Sequence, residues 1–237
     1  MRNRQETGVQ YQKVSGLGFY CDVHEGDLSF RANLSDYLDT GLFLDARKKR
    51  AIIQNEAAGK RVLNLFAYTC SLSAAAAKGG ALQVDSVDLS NTYLEWGKVN
   101  FALNGFQAAL MDGKDYSRLN KTEKYFLIRA DVLLFLQHAK RAGVKWDLII
   151  LDPPSFSNSK KMTGTLDIRR DHGELIQSCL SLLRSGGKLW FSSNAKGFAL
   201  DAADYPLFTV KDMKDQLLDE DFRGKKIPLC YTFTGKP

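Results

Sequence analysis

The sequence predicts an α/β protein that is doubly wound around a mostly parallel, Rossmann-like sheet and carries a small N-terminal β appendage. From about residue 46 onwards, short apolar strands alternate with helix-length segments, which is the pattern of repeated βαβ units. Trp146–Leu151 is a mainly apolar run, typical of a strand buried on both faces of a parallel sheet. Before Thr40, apolar and polar residues alternate between glycines, which indicates antiparallel strands. We therefore predict an appendage over residues 1–40 and a main domain over residues 41–237.

The predicted elements follow one another in a regular order. The appendage contains Phe19–Val23, a turn, and Leu28–Leu34. The strands of the main domain are predicted at Arg61–Phe66, Leu82–Asp88, Tyr125–Ile128, Trp146–Leu151 and Lys188–Ser193. The helices are predicted at Ala46–Ala58, Ser71–Lys78, Ser90–Leu103, Asp131–Arg141 and His172–Leu183. Two final strands, Phe208–Val210 and Leu229–Phe233, lack a clear intervening helix, so we expect the sheet to close antiparallel.

Composition limits the classes of protein that fit. With 237 residues, 44% hydrophobic and 25% charged, the chain is long and apolar enough for one substantial core, and it does not resemble a disordered chain. It lacks an apolar run of the about 20 residues that a membrane helix needs. The polar start, Met1–Glu6, shows no signal peptide.

Charge and cysteine usage indicate the setting in which the protein works. The four cysteines are scattered without a C-x-x-C pair, which argues against a zinc ribbon or a disulfide framework and predicts a reducing, cytoplasmic location and no metal. The formal net charge of +6 and the pI of about 9.0 are compatible with a polyanionic partner without requiring one.

Three carboxylates and one turn are predicted on the same rim of the sheet. Asp88 ends the second main-domain strand, Asp131 follows the third, and Asp152 follows the fourth. Doubly wound sheets bind ligands outside the carboxyl ends of their strands, next to the first βα turn, here Asn64–Ser71. A carboxylate after the second strand can accept both ribose hydroxyl protons, and one after the third can accept from an adenine amino group. This rim therefore predicts an adenosyl ligand.

The first turn also narrows the class of cofactor. It contains no G-x-G-x-x-G, and no Walker A loop occurs in the chain, so nicotinamide and nucleoside-triphosphate cofactors are disfavoured against a phosphate-free adenosyl one. A plainer alternative is that Asp131 and Ser90 only cap the helices that follow them. The ordered set of carboxylates favours the ligand site.

Asp152–Phe156, which reads D-P-P-S-F, is the second candidate site. Two prolines directly after a buried strand stiffen its exit and remove backbone donors. Such a loop can present carbonyl oxygens and a side chain to a planar base. Phe156 can stack on that base, and such stacking stabilises a complex by about 1–3 kcal/mol. The alternative is a stiff turn with a purely structural role.

Several segments resemble a known family when they are taken together. Asp36–Asp45, Val62–Thr69, Asp88–Trp96 and Asp152–Met162 resemble class I methyltransferases that act on 23S ribosomal RNA. The resemblance extends to Arg170–His172 and Phe191–Asn194, and is strongest to the C-terminal half of the bifunctional large-subunit rRNA guanine methyltransferases, which makes N7-methylguanine.

The resemblance implies S-adenosylmethionine as cofactor, 23S rRNA as partner, and a set of functional residues. The implied catalytic residues are Asp152, Pro153, Pro154, Ser155 and Phe156. The implied cofactor contacts are Asp45, Asn64, Phe66, Ala67, Tyr68, Thr69, Cys70, Asp88, Leu89, Ser90, Asp131 and Asp152. From their charge and place near the rim, the predicted RNA contacts are Lys160, Lys161, Arg169, Arg170 and Lys196.

Two departures from the family pattern lead to further expectations. The family usually has glycine after the threonine of the first turn, whereas this chain has Cys70, whose side chain we expect to crowd the methionine end of the cofactor. In the family a guanine-N2 methyltransferase half precedes this one. Such a half is missing from this chain and is a predicted partner, so the chain is either a fragment or a stand-alone version.

The target atom is predicted from what the chemistry requires. Methylation of cytosine C5 needs a cysteine thiolate, which related enzymes carry on the fifth strand, where this chain reads Phe191–Asn194, F-S-S-N. Guanine N7 has a free lone pair and needs no base, only orientation of a flipped-out guanine. His172, in a charged run before a helix, is interpreted as structural or RNA-contacting. The alternatives are another RNA base such as cytosine, a protein or small-molecule substrate, or a catalytically silent RNA-binding domain.

Overall fold

The computed structural model describes residues 15–113, 123–158, 164–225 and 227–235. Within these residues an eight-stranded sheet is flanked by helices on both faces, and two small two-stranded sheets accompany it. The strands are β1 Tyr20–Glu25, β2 Leu28–Asn33, β3 Arg61–Leu65, β4 Gln83–Asp88, β5 Ala109–Asp112, β6 Tyr125–Arg129, β7 Trp146–Leu151, β8 Phe156–Ser157, β9 Leu166–Asp167, β10 Leu183–Ser193, β11 Phe208–Asp212 and β12 Leu229–Gly235. The helices are α1 Arg47–Glu56, α2 Ser71–Lys78, α3 Asn91–Leu103, α4 Val132–Arg141, α5 Ile168–Ser181 and α6 Lys214–Leu217.

The main sheet has the strand order β11-β12-β10-β7-β3-β4-β6-β5. Strand β12 is antiparallel to both of its neighbours, and the other described pairings are parallel. The predicted doubly wound sheet with an antiparallel close is therefore confirmed. The strand order reverses between β3 and β7, where Leu65 lies opposite Leu151, and ligands of such sheets bind at this switch point.

The central strands are apolar on both sides because helices cover both faces of the sheet. Leu63 and Leu65 of β3 pack with α4 and α5, whereas Val62 packs with α1, α2 and α3. The crossing of α1 and α2 requires a glycine, because a Cβ on Gly79 would lie 1.8 Å from the carbonyl oxygen of Gln54. This close packing fixes α2 and therefore the turn that precedes it.

The β1–β2 hairpin lies on the face formed by α2 and α3. Leu28 and Phe30 form a small core with alanines of α2, and Phe30 is fully buried. The backbone N–H groups of Arg31 and Ser29 each donate to an asparagine of α3, at 2.9 Å to Asn100 Oδ1 and 2.9 Å to Asn104 Oδ1. Since these bonds satisfy one edge of β2, the hairpin is tightly joined to the main sheet. The domain boundary near residue 40 remains a prediction.

The structure differs from the predicted elements in several places. Strand β5 at the sheet edge was not predicted because it is only four residues long, and the short elements β8, β9 and α6 were not predicted either. Helix α5 begins at Ile168 instead of His172, since Asp167 caps it by accepting from Arg169 N at 3.0 Å. Strand β10 begins at Leu183, and a register shift before Lys188 accommodates the two glycines that were predicted as a turn.

None of the helices in the described ranges combines the length and the apolar character needed to cross a membrane.

Candidate functional site

The turn after β3 has an unusual backbone. Phe66, Tyr68 and Cys70 have φ values of 56°, 50° and 60°, the left-handed region that L-residues avoid at a cost of about 1–2 kcal/mol each. Hydrogen bonds hold the turn in this shape: Ala67 N donates to Val87 O at 3.0 Å, and Cys70 N donates to Ala67 O at 2.8 Å. Strain maintained by surrounding bonds is a frequent property of ligand sites.

Asp88 connects this turn to the end of β4. Its carboxylate accepts Tyr68 N at 2.8 Å and Ser90 N at 2.8 Å. Burial raises the pKa of Asp88, while the backbone N–H groups of Ser90, Tyr68 and Leu89 lower it and offset part of that rise. The carboxylate therefore shapes the turn, and its predicted contact with a ribose remains a prediction.

Cys70 does not lie where we expected. Its side chain is completely buried and packs against α3, where a Cβ on Gly97 would come within 2.6 Å of the Cys70 Sγ atom. Because Cys70 is left-handed, its side chain is directed into the protein instead of the crevice. The buried position of the thiol does not favour the expectation that Cys70 crowds the cofactor, and both this expectation and its assignment as a cofactor contact remain predictions.

Asn64 and Thr69 support the turn from beneath. The Thr69 hydroxyl donates to Gly41 O at 2.6 Å, and the Asn64 amide donates to Ser73 Oγ at 2.8 Å. Both side chains are 1% exposed. Asn64 Oδ1 is a buried oxygen without a hydrogen-bond partner among the described residues. These two predicted contacts therefore act on the shape of the turn.

Ser90 and Asp131 both cap helices. The Ser90 hydroxyl accepts Tyr93 N at 3.4 Å, and the Asp131 carboxylate accepts Leu133 N at 2.8 Å. Both residues therefore have the helix-capping role that the plainer alternative gave them, and a contact with the cofactor remains a prediction. Asp131 nevertheless follows β6, the neighbour of β4, so the order of carboxylates along the rim is the predicted one. Leu89 lies between Asp88 and Ser90 and is half-buried.

An aromatic cluster beside the turn was missed by the sequence analysis. The Tyr68 ring packs between Phe43, at 5.3 Å between ring centroids, and Tyr93, at 4.5 Å. Phe43 precedes the short 3-10 helix that contains Asp45, and Tyr93 lies in the first turn of α3. Three segments distant in sequence form this cluster, so no local pattern announces it.

The D-P-P-S-F loop leaves β7 next to the turn. Pro153 is buried and Pro154 half-buried, whereas Ser155 is exposed and Phe156 is 58% exposed. Phe156 pairs with Asp167 in the short β8–β9 hairpin, so its backbone is fixed while its ring is open to solvent. The loop thus presents a large aromatic surface on a rigid support.

Lys49 is a second residue that the sequence analysis missed. It lies on α1, is 4% exposed, and its Nζ atom is 3.2 Å from Asp152 Oδ2. It also donates to the Ser192 hydroxyl on β10. Burial is the main cause that raises the pKa of Asp45, and the nearby negative charge of Asp152 raises it further. Asp45, Lys49 and Asp152 therefore form one charged group at the rim.

The cysteines are unsuited to act as nucleophiles. Burial is the main cause that raises the pKa of the thiols of Cys70, Cys179 and Cys230. These three thiols are therefore neutral near pH 7. Cys21 lies in β1, in the hairpin that covers α2 and α3. Ser192 and Ser193 occupy the end of β10, where a C5-specific enzyme requires its thiol.

The predicted RNA contacts differ in how strongly they are already paired. Arg169 contacts Asp167 at 3.3 Å and Arg170 contacts Asp171 at 2.6 Å, and both arginines lie in the first turn of α5, not in a loop. Lys196 is exposed just beyond β10. Lys160 and Lys161 lie outside the described residues.

His172 is part of α5, which corrects its predicted place before a helix. Its Nδ1 atom is 3.1 Å from Ile168 O, and its ring meets the Phe198 ring edge-on at 4.8 Å between centroids. These contacts match the structural role that was one of its two predicted interpretations.

The carboxylate-rich rim is chemically suited to the group that the sequence predicted. Asp88 is a preorganised acceptor for hydroxyls, and the Asp45–Lys49–Asp152 group carries one more negative than positive charge. That balance suits a cationic ligand with a ribose, which describes S-adenosylmethionine.

Comparisons with known proteins identify the family. Residues 2–203 match the family model of S-adenosylmethionine-dependent methyltransferases. The chain is 47% identical to ribosomal RNA large subunit methyltransferase K of Neisseria meningitidis and 44% identical to ribosomal RNA large subunit methyltransferase K/L of Ectopseudomonas mendocina, over 99% of this chain in each case. It spans 62% of the first relative and 30% of the second.

A solved structure agrees with this result. SMU.776, crystallised in complex with SAH (S-adenosylhomocysteine), is 27% identical with a TM-score of 0.73, over 93% of this chain and 57% of that protein. Because the family model covers most of the chain, and the sheet, the first turn and the strand-end carboxylates are all in place, the chain belongs to the S-adenosylmethionine-dependent methyltransferase family.

Proposed function

We propose that this protein transfers the methyl group of S-adenosylmethionine to N7 of a guanine in 23S ribosomal RNA. The observation that carries the RNA part is the identity of 44–47% over 99% of the chain to relatives named for large-subunit ribosomal RNA. The chain spans at most 62% of these two relatives, so the substrate of the whole proteins is extended to it as a proposal.

The rim supplies the cofactor site in this proposal. Asp88 would receive the ribose hydroxyls, and the turn around Ala67–Thr69 would pass close to the ligand because its backbone is already held in shape. The bound cofactor supplies an electrophilic methyl group on a sulfonium. The protein's task is then to align an acceptor atom with that group, for which proximity and orientation are the main source of rate.

Guanine N7 fits the side chains around the D-P-P-S-F loop. Its lone pair carries no proton, so methylation requires neither a thiolate nor a strong base. The buried thiols of Cys70, Cys179 and Cys230 and the helix-bound imidazole of His172 are consistent with such a reaction. A cytosine C5 mechanism, by contrast, needs a nucleophilic thiol at the site.

Recognition of the base is assigned to the exposed ring of Phe156. A guanine inside a duplex must leave its stack to reach this rim, and stacking on an aromatic ring of the protein compensates for about 1–3 kcal/mol of that cost. The basic residues near the rim, Arg169, Arg170 and Lys196, would contribute phosphate contacts that position the RNA without specifying its sequence.

The test is methylation of unmodified 23S rRNA by the purified chain with isotopically labelled cofactor, followed by digestion and mass spectrometry of nucleosides. We expect label in 7-methylguanosine, and borohydride–aniline cleavage then maps its position. Label in 5-methylcytidine or N2-methylguanosine would show that the target atom is wrong. Cofactor binding without labelled RNA would count against the RNA substrate.

A further inference from the structure

Lys49 places a positive charge beneath the D-P-P-S-F loop, in a setting that lysine normally avoids. Its side chain is 5% exposed, and together with Arg50 it is one of two buried basic residues of α1. Burying an ammonium is costly unless charged and hydrogen-bonding partners compensate for the lost water. Its two partners are the Asp152 carboxylate, at 3.2 Å, and the Ser192 hydroxyl.

The groups around Lys49 come from four elements. Asp45 faces it from the 3-10 helix before α1, Asp152 from the end of β7, Ser192 from β10, and Cys230 from β12. Burial lowers the pKa of Lys49, but the charges of Asp152 and Asp45 and the hydrogen bond to Asp152 oppose this, and the pKa lies above its ordinary value. The ammonium therefore stays charged and separates two carboxylates that would otherwise repel each other.

Asp152 is anchored at one oxygen and open at the other. Lys49 contacts Oδ2, whereas Oδ1 has no hydrogen bond to any of the described residues, and the Asp152 side chain is 40% exposed. A carboxylate held in this way has a fixed direction. That direction matters to a neighbouring base whose charge changes during the reaction.

We infer that Lys49 is a positioning residue that keeps the Asp152 carboxylate correctly oriented toward the methyl-accepting base. This inference rests on the proposed function. In methyl transfer to N7, the sulfur–methyl bond breaks as the nitrogen–methyl bond forms, so the positive charge moves from sulfur to the guanine ring and no proton is released. A fixed carboxylate stabilises that arriving charge, and Lys49 fixes the carboxylate.

The test compares Lys49→Met with Lys49→Arg in the full chain, using 23S rRNA methylation between pH 6 and 9. We expect Lys49→Met to lower kcat at least tenfold at pH 7.5, with KM for cofactor and RNA within twofold. Lys49→Arg should restore part of the loss. Lys48→Met is the matched control, because Lys48 lies on the same helix and its Nζ atom donates to Leu218 O at 2.6 Å, away from Asp152.

The pH profile separates positioning from a purely structural role. Lys49 lowers the pKa of Asp45, so this carboxylate becomes protonated at a higher pH in Lys49→Met than in the wild type. Activity of Lys49→Met should therefore fall as the pH drops from 8 to 6, while the wild type changes little. An unchanged kcat and an unchanged profile in a folded Lys49→Met would overturn the inference and leave the proposed function intact.

A readout without catalysis covers the remaining outcomes. Carbon-13 NMR of aspartate carboxyls, with the Asp45 signal assigned from Asp45→Asn, should show its titration midpoint moving upward in Lys49→Met. A wild type that methylates no 23S rRNA refutes the proposed function, and the NMR titration then tests the coupling within the Asp45–Lys49–Asp152 group alone. If Lys49→Met does not fold, Ser192→Ala, which removes the second partner of the ammonium, should give a smaller loss of kcat in the same direction.

Discussion

The two sides of the crevice are built in opposite ways. On the cofactor side, the turn after β3 is strained, buried, and tied by backbone hydrogen bonds to β4 and Asp88. On the target side, the D-P-P-S-F loop is stiffened by prolines but leaves Phe156 and Ser155 open to solvent. The difference indicates that one side is complete before its small ligand arrives, whereas the other is completed only by a macromolecular substrate.

The largest effect is expected on the cofactor side. Asp88→Ala removes the acceptor of Tyr68 N and Ser90 N together with the proposed ribose contact. Hydrogen bonds to charged groups contribute about 1.5–3 kcal/mol each, so we expect cofactor affinity to fall by roughly 100-fold or more.

Calorimetric titration of S-adenosylmethionine measures this loss. Asp22→Ala, which removes an exposed carboxylate in the hairpin, is the control and should bind like the wild type. Equal binding by Asp88→Ala would mean that the turn is held without its carboxylate, and the contrast between the two sides would disappear.

The packing behind the turn gives the next prediction. A Cβ on Gly97 would lie 2.6 Å from Cys70 Sγ, so Gly97→Ala should destabilise the fold by about 1–3 kcal/mol in denaturant unfolding. Gly173→Ala is the matched control, because a Cβ there meets nothing within 4 Å and alanine favours the helix.

A double variant sharpens this result. Cys70→Gly removes the thiol with which an alanine at position 97 would clash. The double variant Cys70→Gly/Gly97→Ala should therefore recover most of the stability that Gly97→Ala loses. Cys70→Gly alone should leave cofactor affinity within about threefold, since the thiol is directed away from the crevice. A large gain in affinity would restore the idea that Cys70 crowds the ligand.

On the target side, we expect Phe156→Ala to weaken the methylation of RNA but to leave the affinity for the cofactor unchanged. The ring is 58% exposed, so its loss should change the free energy of unfolding by less than about 0.5 kcal/mol. It should lower kcat/KM for 23S rRNA roughly tenfold. Leu207→Ala, with a side chain that is 75% exposed at the opposite edge of the sheet, is the control. A matching loss of cofactor affinity would contradict the division between the sides.

The smallest effect is expected from a single surface charge. Lys196→Gln should weaken RNA binding uniformly and reduce the slope of log affinity against log salt by about 1, measured by filter binding at several salt concentrations. Lys78→Gln, at the far end of α2, should leave the slope unchanged. Arg169 and Arg170 are weaker candidates for this test because acidic neighbours already pair with them.

The order of elements was predictable because each buried strand has a local signature of apolar residues. The run Trp146–Leu151 and the capped helices after Ser90 and Asp131 lie where their patterns indicated. The four-residue edge strand β5 has too little apolar sequence to be recognised in this way. Local periodicity therefore predicts the centre of the sheet better than its margin.

The carboxylates of the site could be predicted from the sequence, but the residues that hold those carboxylates and the first turn in place could not. Strand-end aspartates are visible in the sequence, but Lys49 is buried only because Asp152, 103 residues later, reaches it. The left-handed residues Phe66, Tyr68 and Cys70 carry no glycine signal, since long-range hydrogen bonds impose their conformation. Contacts between distant segments decide these features, and a single sequence does not display them.

The position of β12 has a consequence for how the chain folds. This strand is the last described element, yet it lies between β10 and β11 and contributes Phe233 to the centre of the core. Until it arrives, β10 has an open edge beside the large apolar side chains of Trp190 and Phe191, which is a template for association with other chains. A nascent or truncated chain that lacks β12 is therefore exposed to aggregation, so insertion of this strand is the step at which a chaperone would have the most to protect.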